Sequence, residues 1–298
     1  MKPTKAVIVL GANGALGQQI CLDANSSGYA VIAWGRQEVS ADISTVELAS
    51  RIDKTNASVA INCLSMNGLD RCAKYPDQAF EANSTLPLKL ALISKVRGVD
   101  VVHISTDNVF KCDQEGKLYN EQDEVGPTTT YGVSKLIGES SELFYQKFGR
   151  NYSEGTFRVI RLPMLFGPTN GKQVVSRLVS SLQMGKEALV AKDVFTTPLY
   201  TPEAAVGIIS LLGHLKDLPR VTHFCGGPRV SLFEFMQQVR DSLKIKGEIK
   251  GVPSQTFNSI EPKPQHGGLA SSTFPAFDWR IALGRYTQTI LGHNQRIL

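Results

Sequence analysis

Ala6-Val7-Ile8-Val9-Leu10-Gly11-Ala12-Asn13-Gly14-Ala15-Leu16-Gly17 is the stretch on which the reading of this chain turns. Its opening run of apolar, mostly β-branched residues has no polar alternation, the pattern of a strand buried on both faces in a parallel sheet. Glycines follow at once, and Gln18-Gln19-Ile20-Cys21-Leu22 then has helical character. A glycine turn between strand and helix permits a tight bend and a close approach of backbone to a pyrophosphate, which the helix N-terminus holds with its free N–H groups. The stretch predicts an α/β fold, a doubly wound parallel Rossmann sheet. Gly11, Asn13, Gly14, Ala15, Leu16 and Gly17 are its expected contacts to a dinucleotide.

Working outward, Tyr29 to Trp34 reads as the second strand, with Gly35-Arg36 at its tip. An NAD enzyme places an acid there against the ribose 2′-hydroxyl; here Glu38 comes two residues late, and a guanidinium can pair a 2′-phosphate in bidentate fashion. NADP(H) is therefore expected over NAD(H), with Arg36 discriminating. Val46 to Lys54 reads as a helix with Val46, Leu48, Ala49 and Ile52 on or near one face. Ser58 to Leu64 is a further buried strand. Its end, Leu64-Ser65-Met66-Asn67, should pass beneath the ribose and nicotinamide, because ligands sit at the carboxyl ends of parallel strands, and Cys63, Leu64 and Ser65 are the expected cofactor contacts. Pro76 opens a long helix that continues past Asn83 to Ile93.

Val99-Asp100-Val101-Val102-His103-Ile104 gives the central strand and ends in Ser105-Thr106-Asp107. After a polar excursion from Lys111 to Pro127, Tyr131-Gly132-Val133-Ser134-Lys135 starts a helix whose expected buried stripe is Leu136, Leu143, Phe144 and Phe148. A strand-end hydroxyl with a Tyr and a Lys one helical turn apart puts three proton-handling groups within reach of one carbonyl. That is the equipment of a carbonyl reductase.

The chain has 298 residues, 42% of them hydrophobic, enough for one large domain or two intimate ones. The division expected is 1–167 for the dinucleotide and 168–298 mainly for substrate, the latter a smaller, interleaved α+β unit whose segments cross back. The net charge of +5 is scattered, with no Lys/Arg block to make a nucleic-acid stripe. Five cysteines without a C-x-x-C pair read as reduced core thiols of a cytoplasmic protein, and five histidines without ligand spacing support no metal. His223 and Cys225 read as a packed strand pair. No run approaches the roughly 18 apolar residues of a membrane span. Further on, Ser231 and Glu234 have capping-box spacing, Pro253 to Pro275 reads as a loop over a cleft, and Asp278 precedes a last helix in which Trp279, Leu283, Tyr286 and Ile290 recur.

These features resemble the extended short-chain dehydrogenase/reductase superfamily, whose glycine spacing is G-x-x-G-x-x-G, and within it the dTDP-4-dehydrorhamnose reductase family. The resemblance is carried by Gly11 to Gly17, Ile61-Asn62-Cys63 continuing to Leu69–Pro76, Ser105–Phe110, Pro127–Gly138 and Arg161–Gly167, then more thinly by Pro198–Thr201 and Phe224–Gly227. It implies that Tyr131 is the acid, that Lys135 lowers its pKa and binds the nicotinamide ribose, and that Thr106 holds the substrate carbonyl. It also implies that Asp42 and Ile43 lie along the adenine, and that Asn108, Met164 and Lys263 face the substrate. The implied reaction is NADPH-dependent reduction of a keto nucleotide sugar for dTDP-rhamnose and polysaccharide biosynthesis, in a chain that can form a homodimer. Asn83 fits either a buried amide bridging two helices or, as in the family, a residue shaping the active-site hydrogen bonds.

Two positions depart from the family. Lys263-Pro264-Gln265-His266-Gly267-Gly268-Leu269 stands for Arg-Pro-x-x-Ser-x-Leu, and Asn108 stands where Tyr is usual. A Lys does not reproduce a bidentate clasp, which leaves the sugar open. Related dehydratases carry Asp-Glu after the Thr; an amide at 108 cannot do acid/base work, which favours reduction over elimination and leaves epimerisation open. The same family also resembles the β subunit of methionine adenosyltransferase, so a non-catalytic NADP-binding subunit is the reading from another class.

Overall fold

The structure, a computed structural model, describes residues 5–143, 155–167 and 173–294. Six parallel strands form one sheet: β1 (Ala6–Leu10), β2 (Ala30–Trp34), β3 (Val59–Asn62), β4 (Asp100–Thr106), β5 (Phe157–Leu162) and β6 (Val221–His223), in the order β2-β1-β3-β4-β5-β6. Val7, Ile8, Val9 and Leu10 are all fully buried, as a strand covered on both faces requires. Alternate residues point to opposite faces and found two cores. Val7, Val9, Ile61, Val102 and Ile160 pack under helices α1 (Ala15–Ser26) and Thr201–Leu211; Ile8, Leu10, Ala60, Val101 and Val159 pack under α2 (Thr45–Asp53) and Leu86–Arg97.

The strand order reverses at β1, which pairs with β2 on one side and β3 on the other. A crevice opens at such a switch point, outside the carboxyl ends of the strands. Gly11 and Cys63 therefore meet there.

The last third of the chain is interleaved with the sheet, since Thr201–Leu211 covers one face and β6 pairs with β5. A separate apolar cluster gathers Phe166, Tyr200, Phe235, Trp279 and Tyr286 between helices Val174–Gln183, Leu232–Ser242 and Trp279–Asn294. The capping box of Ser231 and Glu234 is present. Leu283 and Tyr286 are buried on the last helix and Ile290 packs against the same cluster.

Some expectations differ from the structure. Val46 is 82% exposed, since the packed face of α2 is made by Leu48 and Ile52 with Ala49 half-buried beside them. The helix carrying Tyr131 and Lys135, α3 (Thr130–Glu139), buries Gly132, Ser134 and Gly138; of the expected apolar stripe Leu136 packs half-buried on the cluster of Val109 and Phe110, Leu143 is exposed, and Phe144 and Phe148 lie outside the described residues. The cause is close approach. A Cβ on Gly138 would meet the Asn83 carbonyl and lie 3.2 Å from Pro87 Cγ, so small side chains set the helix against its neighbours. All five cysteines are free thiols. Among the described residues no helix is long and apolar enough to cross a membrane, and no group of three His, Cys, Asp or Glu could hold a metal.

Candidate active site

The glycine turn builds the dinucleotide side. Gly11 has φ +77°, a left-handed conformation, and a Cβ there would lie 2.7 Å from Leu64 N and 2.8 Å from Cys63 C. The turn thus lies flush on the end of β3. Gly14 precedes α1 with no side-chain cap and no acid in the first turn, so first-turn N–H groups are available to an anion. Leu16 and Gly17 are buried, which leaves backbone as the part of them a ligand could touch; Asn13 is exposed and Ala15 half-buried. This cradle, closed to any side chain at Gly11, fits a nicotinamide dinucleotide.

At the tip of β2, Arg36 is exposed beside Gly35. The order of residues puts no acid at that tip, yet Glu38 turns back and accepts Gly35 N–H at 2.8 Å. The strand tip therefore carries both an acid and a guanidinium. Asp42 is exposed, with its carboxyl lowered by the Ser40 hydroxyl, whereas Ile43 packs into the core beside Trp34 and Val39.

The reacting side converges on Tyr131. Its phenol lies beside the Thr106 hydroxyl at the end of β4 and the Ser65 hydroxyl beyond β3. Asn83 locks this frame: its Oδ1 accepts from Ser65 Oγ and Met66 N, each at 2.9 Å, and its Nδ2 donates to Met66 O and Ser134 Oγ. It sits in a π-helical turn, Glu81–Thr85, fully buried, as an amide that bridges elements. Thr106 donates to Asp107 Oδ1 at 3.0 Å and accepts from Asn108 N and Nδ2 at 3.2 Å, so to donate to a substrate carbonyl it must exchange that carboxylate. Asn108 Nδ2 also donates to Asp107 Oδ1. Burial pushes the Asp107 carboxyl up against these bonds.

Lys135 is 2% exposed, and its amine donates to Ile104 O at 2.6 Å and lies 3.4 Å from His103 Nε2. Burial pulls it down to about 8, opposed by Glu139 and Cys63. Tyr131, one turn earlier on the same helix, is shifted the other way: burial raises the phenol, the Thr106 and Ser65 hydroxyls beside it oppose that, and Asp107 and Cys72 add to it.

A strap from Pro253 to Pro275 runs past this site. Ser254 is held by Asp193, Ile260 N–H by Asp70, and His266 N–H by Cys112 O. Glu261 accepts Thr130 N–H at 2.9 Å and Thr130 Oγ1 at 2.6 Å, at the first turn of α3 and next to Tyr131. A Cβ on Gly267 would lie 3.6 Å from Asp107 Oδ2, which places the strap beside the strand end. Lys263 lies over the Phe257 ring at 4.3 Å, within the strap, and Met164 packs on the second cluster, so neither is drawn to Tyr131 by a direct contact. Sequence reasoning missed Glu261 and the His103 contact with Lys135. Neither carries a spacing signal, since each partner comes from a distant element.

A glycine cradle at the switch point and a Tyr-Lys helix against a strand-end Thr define the class: an extended short-chain dehydrogenase/reductase, an NAD(P)-dependent oxidoreductase. The profile of the family described as "RmlD substrate binding domain" matches residues 5–290, and the chain belongs to that family. It is 27% identical over 288 residues to a spore coat polysaccharide biosynthesis protein, SpsK, of Bacillus subtilis, covering 95% of this chain and 96% of that one. It is 25% identical to dTDP-4-dehydrorhamnose reductase of Mycolicibacterium smegmatis, covering 96% and 86%. In fold it is similar to dTDP-4-dehydrorhamnose reductase of Bacillus anthracis in complex with NADP (TM-score 0.86, 23% identity, 95% and 98% covered). It is also similar to UDP-glucose 4-epimerase of Thermotoga maritima (TM-score 0.77, 14% identity, 97% and 99% covered).

Proposed function

We propose that this protein reduces a keto group on a nucleotide sugar, with NADPH preferred over NADH, as a reductase of the dTDP-4-dehydrorhamnose type serving polysaccharide biosynthesis. The observation that carries the reading is the placing of Tyr131 beside the hydroxyls of Thr106 and Ser65, with Lys135 one turn along the same helix and anchored on Ile104 O. Relatives named as dTDP-4-dehydrorhamnose reductases and as a spore coat polysaccharide protein support the substrate class.

Residues 1–167 form the main part of the dinucleotide side in this reading, and 168–298 mainly the substrate side. Gly11, Gly14 and the first-turn amides of Ala15, Leu16 and Gly17 hold the pyrophosphate, with Asn13 beside them. Arg36, Asp42 and Ile43 border the adenosine end, and Cys63, Leu64 and Ser65 line the floor. A bound nicotinamide supplies hydride. Tyr131 gives its hydroxyl proton to the carbonyl oxygen, Thr106 hydrogen-bonds that oxygen as charge develops, and Lys135 stabilises the phenolate left behind. Asn108 and Met164 border the substrate, with Lys263 on the strap. Asn108, engaged with Asp107 and Thr106, offers no acid for elimination, which supports reduction.

The test is a panel of keto nucleotide sugars with NADPH, followed by absorbance. Tyr131→Phe should lower turnover roughly 10²- to 10⁴-fold with NADPH binding retained. An unchanged rate in that variant would remove Tyr131 as the acid.

A further inference from the structure

The imidazole beneath Lys135 has its tautomer fixed by its neighbours. Leu64 N–H donates to Asn62 Oδ1 at 3.1 Å, which settles which end of that amide faces the main chain. The NH₂ end therefore faces His103 Nδ1, at 3.0 Å. An amide NH₂ has no lone pair to offer, so Nδ1 must be the bare, accepting nitrogen. Burial holds His103 well below the usual histidine range, so the ring is neutral and its single proton sits on Nε2. That N–H points at Lys135 Nζ.

An ammonium has three donors and nothing that accepts, so it faces this N–H donor against donor. A neutral amine fits the same place without that conflict. Its lone pair accepts Nε2–H while one of its own N–H groups donates to Ile104 O. The other groups around the pair do not reverse this. Glu139, one turn along α3, is held in a buried pair by Arg161 at 2.6 and 2.9 Å. The Cys63 thiol, pushed up to about 12 by burial, carries no charge near neutral pH. The flat face of the imidazole stacks on Phe157, centroids 5.8 Å apart, which holds the ring in its plane.

We infer that His103 is a positioning residue for Lys135: through Nε2–H it stabilises the neutral amine and draws the lysine's ionisation toward the pH at which the site works. The consequence is a lysine that exchanges its proton readily at mildly alkaline pH, where an unperturbed one would stay charged to above about 10. The inference rests on Lys135 being the lysine of the proposed reaction, but its test reads the lysine directly.

The experiment is an NMR titration of the full-length protein with ¹³C-labelled lysine side chains, the Lys135 signal being the one lost in Lys135→Met. His103→Phe keeps the ring stack and deletes the donor; it should raise the acid midpoint of Lys135 so that its dissociation constant falls about tenfold, the effect of one hydrogen bond. His103→Gln restores an N–H donor and should bring the midpoint back toward that of the parent. An unchanged midpoint in folded His103→Phe, or an equal rise in both variants, overturns the inference. If His103→Phe does not fold, ¹⁵N shifts of His103 in the unaltered protein decide: a bare Nδ1 with Nε2–H is expected, and Nδ1–H or an imidazolium overturns it. Keto-sugar reduction that survives Lys135→Met would instead defeat the functional reading and leave this titration standing.

Discussion

Tyr131 keeps its proton. Burial raises the phenol, so across neutral pH it stands in the acid form that proton donation to a ketone requires. The proposed preference for NADPH turns on two side chains, Arg36 and Glu38, which pull in opposite directions. A guanidinium favours a 2′-phosphate, and a carboxylate held at Gly35 N–H repels one. Arg36→Ala should weaken NADPH several-fold more than NADH, and Glu38→Ala should improve NADPH relative to NADH; fluorescence titration with both nucleotides measures the two ratios. A uniform loss in Arg36→Ala would remove that residue from the 2′-position.

The element that concentrates the chemistry is α3, seated through glycines. Gly138 lies on the Asn83 carbonyl, and a Cβ on Gly132 would lie 2.8 Å from Pro127 Cβ. Gly138→Ala should therefore cost about 1–3 kcal/mol, the usual range for overpacking, and lower activity as well, because the displaced helix carries both Tyr131 and Lys135. Urea unfolding set beside turnover checks this; a variant of parental stability would show that the helix has room. The same element marks where the sequence was legible and where it was not. Strand periodicity and the glycine turn announced the sheet and the crevice, because burial on both faces leaves β-branched runs and a phosphate needs bare backbone. Leu136 packs as expected and Leu143 does not; large apolar residues are the usual sign of a packed face, but where a helix is pressed against backbone it shows glycine and serine, which carry no such signal. Glu261 on Thr130 and His103 under Lys135 were illegible for another reason: they join segments far apart in sequence, and no periodicity links them.

At the scale of the whole molecule, Glu121 fastens the excursion between Lys111 and Pro127 to the strap and to β6. Its carboxylate accepts His223 N–H, Ser271 Oγ, Ser272 N–H and Ser272 Oγ, all at 2.8–2.9 Å. Burial alone would raise this carboxyl, but the hydrogen bonds outweigh it and bring it down to about 2, from an ordinary value near 4.5. A carboxyl lowered on folding adds stability that is whole above about pH 4.5 and disappears as the pH falls toward 2. Glu121→Gln should thus melt below the parent at pH 7, and the gap should narrow on acidification through that window. Scanning calorimetry across pH follows it; a gap that did not change with pH would mean that the charge of Glu121 is immaterial.

The outermost strand, β6, reaches its place beside β5 only after the whole of Val174–Gln183 and Thr201–Leu211 has been made. A nascent chain leaving the ribosome therefore carries five strands of the sheet with β5 as an open rim, its unpaired amides and carbonyls a template for any stray strand. Synthesis that stalls between Leu162 and Val221 would leave a sticky half-product, and a chain truncated there would aggregate sooner than fold.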